Sequence, residues 1–582
     1  MIKIDGVDFD IRDNETILEI ALRNGIEIPQ LCYHPDLEVK ANCRICVVEI
    51  KGRNDLVTAC STKAVEGMEI LTKSDKIARA RKINLELIFA QHKEECDDCV
   101  WKYDCQLLRL AKKYEVKINR FKDRKSNLPK YIFGKTIDFD SSKCIDCRNC
   151  VEMCHKQGVD FLELEEKGNL TSIVPSTNPK KDCVYCGQCI THCPVGAFEG
   201  VGEFEDIEKP LMDKEKIVVA QFAPSIRSSL GEEFDLLPGE VVTGKIVAAL
   251  RKLGFNYVFD TSVGADFTTT EESKEIIERI KENKNLPIMT SCCPAWVKFI
   301  EFYFPEFIPN LTTAKSPQIM LGGLIKTYWA KEMKIDPKNV VVVSIMPCVS
   351  KKYEIEREEI KSPSPRSGGG LSPLTKGEQD FVKPVDFVLT TRELARLIMK
   401  NKIDFKNLPD ENLDSAFGEP SGAGVIYGAS GGVMESAFRT TYEKLSGEKL
   451  SKVEFEMVRG MEGMKKAEVK IGNETKKIAV INGLGNAKKF LGELKNDNYT
   501  CIEVMACPGG CIGGGGQPLP SFPYHRQKRA EGLYGIDRKL VNRKAHENPI
   551  VKKIYEEFLD KDEEVRRAVL HTSYKKKEKE GN

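Results

Sequence analysis

The stretch VVVVSIMPC, residues 340–348, places four consecutive valines shortly before a proline and a cysteine. A continuous apolar run of this length, rich in β-branched residues, is typical of a strand that is buried on both faces of a parallel sheet. Beyond residue 210 the chain contains six further runs of strand length: KIVVAQFAP (216–224), NYVFDT (256–261), LPIMTSC (286–292), VDFVLTT (385–391), KIAVING (477–483) and CIEVMAC (501–507). Because segments with helical periodicity separate these runs, the sequence predicts an α/β domain with mainly parallel sheets flanked by helices.

Several of the predicted strands end at cysteines. Cys292 and Cys293 end one strand, Cys348 ends another, and Cys507 ends the last one, shortly before Cys511. In open α/β sheets, binding sites form beyond the carboxyl ends of the strands, so we expect these cysteines to meet in one crevice. The glycines in PGGCIGGGGQP, residues 508–518, would let the backbone approach a bulky cofactor closely.

Charge and composition narrow the class of protein. The chain of 582 residues has a formal net charge of +1, which gives no electrostatic reason to expect a nucleic-acid partner. It has no apolar stretch of about 20 residues that would insert into a membrane, and its polar N-terminus does not resemble an export signal. Without export, 21 cysteines indicate metal binding in a reducing compartment, so we expect a cytoplasmic protein. The C-terminal run KKKEKEG is expected to be a solvated tail.

Fifteen of the cysteines lie between residues 32 and 193, in four groups. The first has the spacing C-x10-C-x2-C-x13-C, which suits a [2Fe–2S] cluster, although four thiolates could also hold zinc. Its ligands would be Cys32, Cys43, Cys46 and Cys60. Alternating strand-like flanks and a capped helix in NETILEIALRNG, ending at Gly25, resemble a plant-type ferredoxin with a β-grasp fold.

The second group lies in QHKEECDDCVWKYDC, residues 91–105. Its spacing, H-x3-C-x2-C-x5-C, fits a zinc site and a [4Fe–4S] cluster with one imidazole ligand equally well. The neighbouring groups favour the iron–sulfur cluster. Its ligands would be His92, Cys96, Cys99 and Cys105.

The third and fourth groups, CIDCRNCVEMC and CVYCGQCITHCP, share the spacing C-x2-C-x2-C-x3-C of bacterial two-cluster ferredoxins. The fourth cysteine of each run then binds the cluster of the other run. One cluster would be held by Cys144, Cys147, Cys150 and Cys193. The other would be held by Cys183, Cys186, Cys189 and Cys154. Four clusters in series form a path for single electrons.

TSCCPAW (290–296), MPCVSKKYE (346–354) and EVMACPGGCIGGGGQP (503–518) resemble the three signature motifs of [FeFe]-hydrogenases. The order of the four cysteine groups resembles the multi-cluster clostridial type. The resemblance implies an enzyme that interconverts H2 with protons and electrons, with a catalytic domain of two lobes of twisted, mainly parallel sheet. It also implies an H-cluster, which is a [4Fe–4S] cubane joined through a cysteine to a two-iron unit carrying CO, cyanide and a dithiolate amine.

The resemblance also implies which residues hold this cofactor. The cubane ligands would be Cys293, Cys348, Cys507 and Cys511, of which Cys511 forms the bridge. The two-iron unit would be held by Ala223, Pro224, Ser225, Pro317, Gln318, Met346, Lys351, Phe417 and Met505. Taken alone, the methionines would be core residues and the lysine a solvated charge.

The paired cysteines would have different roles, because adjacent side chains on an extended backbone point in different directions. Cys293 would bind metal, and Cys292 would be a free thiol that exchanges protons rather than an inert buried one. A thiol has an ordinary pKa of about 8.5, close enough to neutrality for that exchange. Cys501 is expected to fill core space.

Protons must also reach bulk water. FTTTEESKEIIERI, residues 267–280, predicts a helix with Thr270 as its N-cap, on which Glu272, Glu275 and Arg279 share one face. Such a stripe is usually solvated surface. The resemblance implies a proton path formed by Glu275, Thr312, Glu272 and Cys292, with Arg279 near its mouth. Thr312 stands where the family commonly has serine.

We expect five regions: a [2Fe–2S] domain (1–78), a domain with the histidine-containing [4Fe–4S] site (79–120), a two-cluster ferredoxin domain (136–208), a catalytic domain (210–545) and a helical segment with a charged tail (546–582). The run KSPSPRSGGGLSPLTKGEQ, residues 361–379, is expected to be a flexible insertion.

Three functions stay open at this stage. The chain would exchange electrons with ferredoxin directly, or serve as the catalytic subunit of an NAD(P)-linked, electron-bifurcating complex with flavin- or NAD(P)-binding partners. It contains no G-x-G-x-x-G before a helix, so another subunit would bind any nucleotide. A third function is an H2 sensor or an iron–sulfur assembly factor. Dedicated maturation enzymes are further expected partners.

Overall fold

The computed structural model describes residues 1–94, 99, 105–122, 128–167, 170–202, 204–363, 381–450, 452–471, 474–494 and 497–580. Cys96 and nearly all of the expected insertion lie outside these residues. Across the described ranges, no helix combines the length and the apolar character needed to cross a membrane.

The N-terminal region forms a mixed five-stranded sheet with strand order β2-β1-β5-β3-β4. Its elements are β1 (Ile2–Ile4), β2 (Val7–Phe9), α1 (Ile17–Arg23), β3 (Val47–Ile50), β4 (Leu56–Thr58) and β5 (Glu69–Leu71). A capping box starts α1, because the Thr16 hydroxyl accepts from the Glu19 N–H (3.3 Å) and the Glu19 carboxylate accepts from the Thr16 N–H (2.7 Å). The helix ends before Gly25, where φ is +70°, as the sequence predicts.

Helices and short strands connect this sheet to the catalytic domain. They are α2 (Asp75–Phe89), α3 (Gln106–Lys113), β6 (Lys130–Phe133), β7 (Ile137–Asp140), α4 (Asn149–Lys156), β8 (Leu162–Lys167), β9 (Leu170–Pro175), α5 (Gln188–Thr191), β10 (Phe198–Gly200) and α6 (Phe204–Met212). Strands β10, β7 and β6 form an antiparallel sheet against which Phe139 and Phe161 are buried. These phenylalanines share one apolar core with Trp296 and Phe299, so the two-cluster region packs directly on the catalytic domain.

The first catalytic sheet is fully parallel, with strand order β12-β11-β14-β17. Its strands are β11 (Ile217–Phe222), β12 (Tyr257–Asp260), β14 (Val340–Met346) and β17 (Phe387–Thr390). VVVVSIM is thus an inner strand, buried on both faces, as its composition predicts. Between these strands lie α7 (Thr243–Lys252), α8 (Thr261–Glu282), α9 (Pro294–Tyr303), α10 (Pro317–Leu324), α11 (Ala330–Glu332), α12 (Ser350–Ile355) and a small hairpin of β15 (Ser362–Pro363) and β16 (Phe381–Val382).

The second catalytic sheet has strand order β13-β20-β19-β18. Its strands are β13 (Ile288–Met289), β18 (Met464–Ile471), β19 (Glu474–Asn482) and β20 (Tyr499–Met505). Strand β20 pairs in parallel with both β13 and β19, whereas β18 lies at the edge of the sheet, antiparallel to β19. The sequence prediction missed β18, because MKKAEVKI is an edge strand with many lysines. The other helices are α13 (Thr391–Lys400), α14 (Gly422–Val425), α15 (Gly432–Ser446), α16 (Leu484–Glu493), α17 (Pro523–Lys539), α18 (Pro549–Glu557) and α19 (Glu563–Leu570).

The prediction that a helix starts at Thr270 is wrong. Asp260 is the N-cap of α8, and its carboxylate accepts from the Ser262 N–H at 2.8 Å. The run of threonines lies inside the helix, where Thr270 donates its hydroxyl to the Asp266 carbonyl at 2.8 Å. Packing overrides the weak helix propensity of these residues, because the first thirteen residues of α8 are all buried.

The prediction that KKKEKEG is a solvated tail is also wrong for residues 575–580, which belong to a docked segment, residues 571–580, that we call the C-terminal strap. His571 forms a β-bridge with Ala314, and Glu580 pairs with Lys298 at 3.0 Å. Lys298 is completely buried beneath the strap and also pairs with Asp182 at 3.2 Å. A buried ammonium group needs such carboxylate partners, which explains why this charged segment docks instead of extending into water.

Candidate active site and metal centres

Thiols converge where the carboxyl ends of three strands meet. Cys293, Cys348 and Cys507 follow β13, β14 and β20, and Cys511 lies in the glycine-rich turn after β20. Together with Cys292 they line a cavity of about 70 Å³. Burial raises the pKa of Cys507 well above its ordinary value, and the charges of Cys348 and Cys293 raise it further. None of the five is in a disulfide, and bound iron would relieve the repulsion among such thiolates, so the donor set fits a metal cluster.

Eight other residues predicted for this site also line the cavity. They are Ala223, Pro224, Ser225, Pro317, Gln318, Met346, Lys351 and Met505. Phe417 is not among the lining residues. It packs edge-on against Phe259 in the core, with ring centroids 5.0 Å apart. Its contact with the cofactor stays a prediction.

Polar atoms in the cavity wall indicate that a polar group binds there. Ser225 Oγ and Gln318 Oε1 are buried and have no hydrogen-bond partner among the described residues. An unpaired buried polar atom costs about 1–3 kcal/mol, so native proteins seldom retain one without a ligand or water. Lys351 Nζ donates to the Cys292 carbonyl (3.0 Å) and to Glu354 Oε2 (2.9 Å). Burial alone would lower the pKa of Lys351, but Glu354 raises it, so the lysine brings a positive charge to the wall.

Cys292 is a neutral thiol in this environment. Burial raises its pKa well above the ordinary value. The prediction had assumed an ordinary thiol pKa near neutrality. The buried thiol holds its proton more tightly than that, so it can give the proton only to a strong base and must be reloaded by a neighbouring acid.

Glu272 is placed to be that acid. Burial raises the pKa of this carboxyl to about 8, and the charge of Glu275 adds to the effect. Glu272 therefore carries a proton at pH 7. The Thr312 hydroxyl donates to Glu272 Oε1 at 3.0 Å, and the Ser291 hydroxyl lies 2.8 Å from that of Thr312. The Tyr427 hydroxyl approaches Glu272 Oε2 at 3.4 Å.

Glu275 lies farther out, where Arg279 pairs with its Oε1. Its Oε2 accepts from the backbone N–H and the hydroxyl of Thr313, at 2.9 and 3.3 Å. No direct hydrogen bond joins Glu275 to Thr312, although both residues are described. The predicted path is therefore interrupted between these two residues.

Sequence reasoning missed the hydroxyls of Ser291, Thr313 and Tyr427. Ser291 and Thr313 adjoin residues that were singled out, so their position in the motifs was a usable signal. Tyr427 lies more than 70 residues from the nearest signature motif on either side, and only the fold brings it to the cavity.

The first cysteine group is paired around a small space. The Cys43 N–H donates to Cys32 Sγ at 3.5 Å, and a hydrogen bond from the Cys32 thiol lowers the pKa of Cys43 to about 6. A hydrogen bond with Cys60 lowers the pKa of Cys46 in the same way. Four thiols in two contacting pairs fit a [2Fe–2S] cluster, which needs two ligands on each iron.

The third and fourth groups have matching loops. Asp146 and Tyr185 occupy the same position in their loops, with φ of 52° and 58°. Their N–H groups donate to Cys144 Sγ (3.3 Å) and Cys183 Sγ (3.4 Å). Backbone N–H groups turned toward sulfur create a concavity that suits an anionic cluster.

The structure brings the fourth cysteine of each run to the other loop. Burial and then the charge of Cys193 raise the pKa of Cys144 to about 12. The pKa of Cys183 is raised by burial, and the charges of Cys186 and Cys154 raise it further. The thiols of the remaining loop positions are buried beside them: Cys147, Cys150, Cys186 and Cys189.

The second group is described in part. His92 is buried, and its Nδ1 lies 2.7 Å from the Lys143 carbonyl, which fixes Nδ1 as the protonated nitrogen and leaves Nε2 with a lone pair. This orientation is usual for metal-binding histidines. Cys105 is the N-cap of α3, Cys99 is partly buried, and Cys96 lies outside the described residues.

Comparisons with known proteins give matches along nearly the whole chain. Residues 216–515 match the family described as iron only hydrogenase large subunit, C-terminal domain. Residues 1–75 match a 2Fe-2S iron-sulfur cluster binding domain, residues 143–197 a 4Fe-4S dicluster domain, and residues 523–577 the iron hydrogenase small subunit.

Two relatives match over their full length. An NADP-reducing hydrogenase subunit from Solidesulfovibrio fructosivorans is 40% identical over 602 residues, which cover 99% of each chain. Iron hydrogenase 1 from Clostridium pasteurianum is 39% identical over 593 residues, which cover 98% of this chain and 99% of that protein. Among solved structures, a variant of the apo [FeFe]-hydrogenase from Chlamydomonas reinhardtii matches with a TM-score of 0.56 and 34% identity, covering 64% of this chain and 99% of that one.

Proposed function

Because the chain belongs to the iron-only, or [FeFe], hydrogenase family, it is a hydrogenase, and we propose which of its residues hold the cofactors and move the protons. The expected family, fold class and cluster types are confirmed, and the assembly-factor alternative is not supported. The observation that carries the site assignment is the meeting of five cysteines from three strand ends at one cavity.

We assign the cubane of the H-cluster to four of these cysteines, with Cys511 as the ligand shared with the two-iron unit. They are Cys293, Cys348, Cys507 and Cys511. When bound, the H-cluster supplies the iron at which two protons and two electrons interconvert with H2, and the accessory clusters carry single electrons. Ser225, Gln318 and Lys351 would offer hydrogen bonds and positive charge to the polar ligands of the two-iron unit.

The accessory ligand sets remain those predicted from the spacing, and they adjoin the active site. The Cys507 thiol lies 3.9 Å from the Cys186 carbonyl, which brings the fourth cysteine group next to the cubane ligands. The [2Fe–2S] and histidine-containing groups lie earlier in the chain. We propose that electrons enter at one of these two and leave through the Cys183 group toward Cys507.

Protons are handled by the chain itself. Glu272 is a neutral acid at pH 7, so it can reprotonate Cys292 after that thiol has lost its proton in the reaction. Glu272 is then reloaded from Glu275, which lies closer to solvent. Movement or water must close the gap between Glu275 and Thr312. In H2 oxidation the same residues carry protons in the opposite direction.

For the electron partner we propose reduced ferredoxin, because the chain carries its own ferredoxin-like domains up to the catalytic site. A second candidate is the catalytic subunit of an NADP-linked complex, with flavin- or nucleotide-binding partner subunits. It is favoured by the 40% identity to an NADP-reducing hydrogenase subunit across 99% of both chains. Both candidates require maturation enzymes. Both also assume a cytoplasmic location, because a chain that binds metal through most of its 21 cysteines needs a reducing compartment.

The deciding experiment is maturation of the chain alone, without oxygen, followed by assays of H2 evolution. Fast turnover with both reduced ferredoxin and reduced viologen would support a self-sufficient ferredoxin hydrogenase. Turnover with viologen alone would support the multi-subunit alternative. Absence of turnover with viologen, in protein that carries the CO and cyanide infrared bands, would contradict the site assignment.

Ligand assignment has its own test. Cys348→Ala should lose the CO and cyanide infrared bands and turnover. Cys501→Ala is the matched control, because Cys501 is a buried cysteine inside β20 that is not assigned to a cluster. Normal bands and turnover in Cys348→Ala would show that Cys348 is not a ligand.

A further inference from the structure

A histidine of the C-terminal strap lies at the outer end of the proton path. His571 Nδ1 is 2.9 Å from the Thr313 hydroxyl, which in turn donates to Glu275 Oε2 at 3.3 Å. On the other side of the ring, His571 Nε2 is 2.8 Å from Glu271 Oε2. The histidine side chain is 23% exposed, whereas that of Glu275 is 13% exposed, so the imidazole is the more accessible group.

We propose that His571 and Thr313 form a second branch of the proton path, which carries protons between Glu275 and solvent alongside the exit at Arg279. This inference rests on the proposed path through Glu275. The sequence analysis gave neither residue a role.

Each passage of a proton through the branch leaves Thr313 and His571 in the protonation state in which they started. During H2 oxidation, protonated Glu275 gives its proton from Oε2 to Thr313 Oγ1, and the hydroxyl proton of Thr313 moves to His571 Nδ1. The imidazolium keeps its Nε2 proton in the hydrogen bond to Glu271 and releases the Nδ1 proton to water when the ring swings outward, which restores the starting tautomer. The reverse sequence carries a proton inward for H2 evolution. An imidazole suits this task because Nδ1 can accept and release a proton while Nε2 stays hydrogen-bonded to Glu271.

A buried carboxylate faces the Nε2 side of the ring. Glu271 is 2% exposed and also accepts from Lys274 Nζ at 2.8 Å and from the Tyr555 hydroxyl. Burial alone would raise the pKa of Glu271, but hydrogen bonds from His571 and Lys274 lower it to about 2. An ionised carboxylate therefore faces Nε2 when the imidazolium forms.

The side chain is not needed to anchor the strap. The Thr572 N–H donates to the Thr313 carbonyl at 2.8 Å, and the His571 N–H donates to the Arg567 carbonyl at 2.8 Å. These backbone hydrogen bonds survive any substitution of the imidazole. A change in the side chain can therefore alter proton transfer without releasing the segment.

The chain offers a matched control with the same chemistry elsewhere. His546 lies between the Thr440 hydroxyl (3.1 Å at Nδ1) and Glu443 Oε2 (3.0 Å at Nε2). Neither Thr440 nor Glu443 contacts the proposed path. His546→Gln and Thr440→Val thus remove an equivalent threonine–histidine–glutamate contact without touching proton transfer.

The test compares His571→Gln and Thr313→Val with these controls in the fully matured enzyme. We expect each branch variant to lower turnover about tenfold, less than the 10²–10⁴-fold typical of losing a sole acid–base group, because the Arg279 exit remains. The solvent deuterium isotope effect should rise. Added imidazole should restore the turnover of His571→Ala but not that of Thr313→Val, because the added molecule can replace the lost ring but not the lost hydroxyl. Both controls should keep wild-type rates, and all variants should keep the CO and cyanide bands.

Combination with Arg279→Leu tests whether the exits act in parallel. If they do, the double variant loses far more activity than the product of the two single losses. Wild-type rates in His571→Gln, both alone and combined with Arg279→Leu, would overturn the branch. If Glu275→Gln were inactive in the same assay, the main path would still stand. Full activity in Glu275→Gln would instead overturn the proposed path itself, and the branch with it. Failure of imidazole to rescue His571→Ala would assign the histidine a structural role.

Discussion

Glu272→Gln should abolish proton transfer while making the protein more stable. The buried carboxyl has a pKa of about 8, so it is a neutral acid at pH 7 and glutamine copies its shape and charge. Glutamine keeps a carbonyl oxygen for the Thr312 hydroxyl, which donates to Glu272 Oε1 at 3.0 Å. It cannot release a proton, so we expect turnover to fall at least 10²-fold.

The gain in stability follows from proton linkage. An unfolded glutamate has a pKa of 4.5, against about 8 in the folded protein. The raised folded pKa means that the stability contributed by this group is complete below pH 4.5 and is lost as the pH rises through 8. At pH 7 the loss is roughly 3 kcal/mol, and it levels off near 5 kcal/mol above pH 8. Glutamine does not titrate, so the variant avoids this loss.

Anaerobic calorimetry of wild type and variant between pH 5 and 9 would measure the effect, because the difference between them cancels every other titrating group. The advantage of Glu272→Gln should grow with pH and then level off above about pH 8. Glu278→Gln, an exposed position on the same helix, should alter neither stability nor turnover. A variant that is active, or that becomes less stable than wild type as the pH rises, would refute the assignment of Glu272 as a buried proton carrier.

Three further predictions concern neighbouring groups. H2 oxidation should increase with pH up to about 8, because Glu272 must be ionised to accept a proton, whereas H2 evolution should decline above that pH; initial rates with viologen would measure both. Thr312→Val should slow both directions and Thr312→Ser should restore them, in the same assay. Glu301→Gln should destabilise the protein by about 3–5 kcal/mol, because it leaves buried Arg357, bound at 2.7 and 2.8 Å, without its carboxylate. Calorimetry with exposed Glu306→Gln as control would check this.

Local sequence patterns predicted the parts of the fold that local physics decides. VVVVSIM is an inner parallel strand because continuous β-branched residues need apolar partners on both faces. The Thr16 capping box starts α1 as the sequence predicts. The meeting of Cys293, Cys348 and Cys507 followed from a rule of sheet topology that does not require the tertiary structure.

The wrong predictions depended on contacts between distant residues. The start of α8 was misplaced because Gly264 packs against the Pro317 backbone, where a Cβ atom would lie 2.2 Å from the carbonyl oxygen, and this packing carries the helix through its threonines. The strap was taken for a solvated tail because nothing near its lysines reveals that Lys298, more than 270 residues earlier, is buried and needs a carboxylate.

In the proposed mechanism, electrons and protons reach the cavity from different parts of the chain. The electron side is built from cysteine loops before residue 200 and reaches the cavity where Cys507 meets Cys186. The proton side is built from α8, the loop around Thr312 and the C-terminal strap, and reaches it at Cys292. Because the two sets share no residue, a substitution on the proton side should leave reduction of the accessory clusters intact and slow only turnover. The separation allows each route to be tested alone.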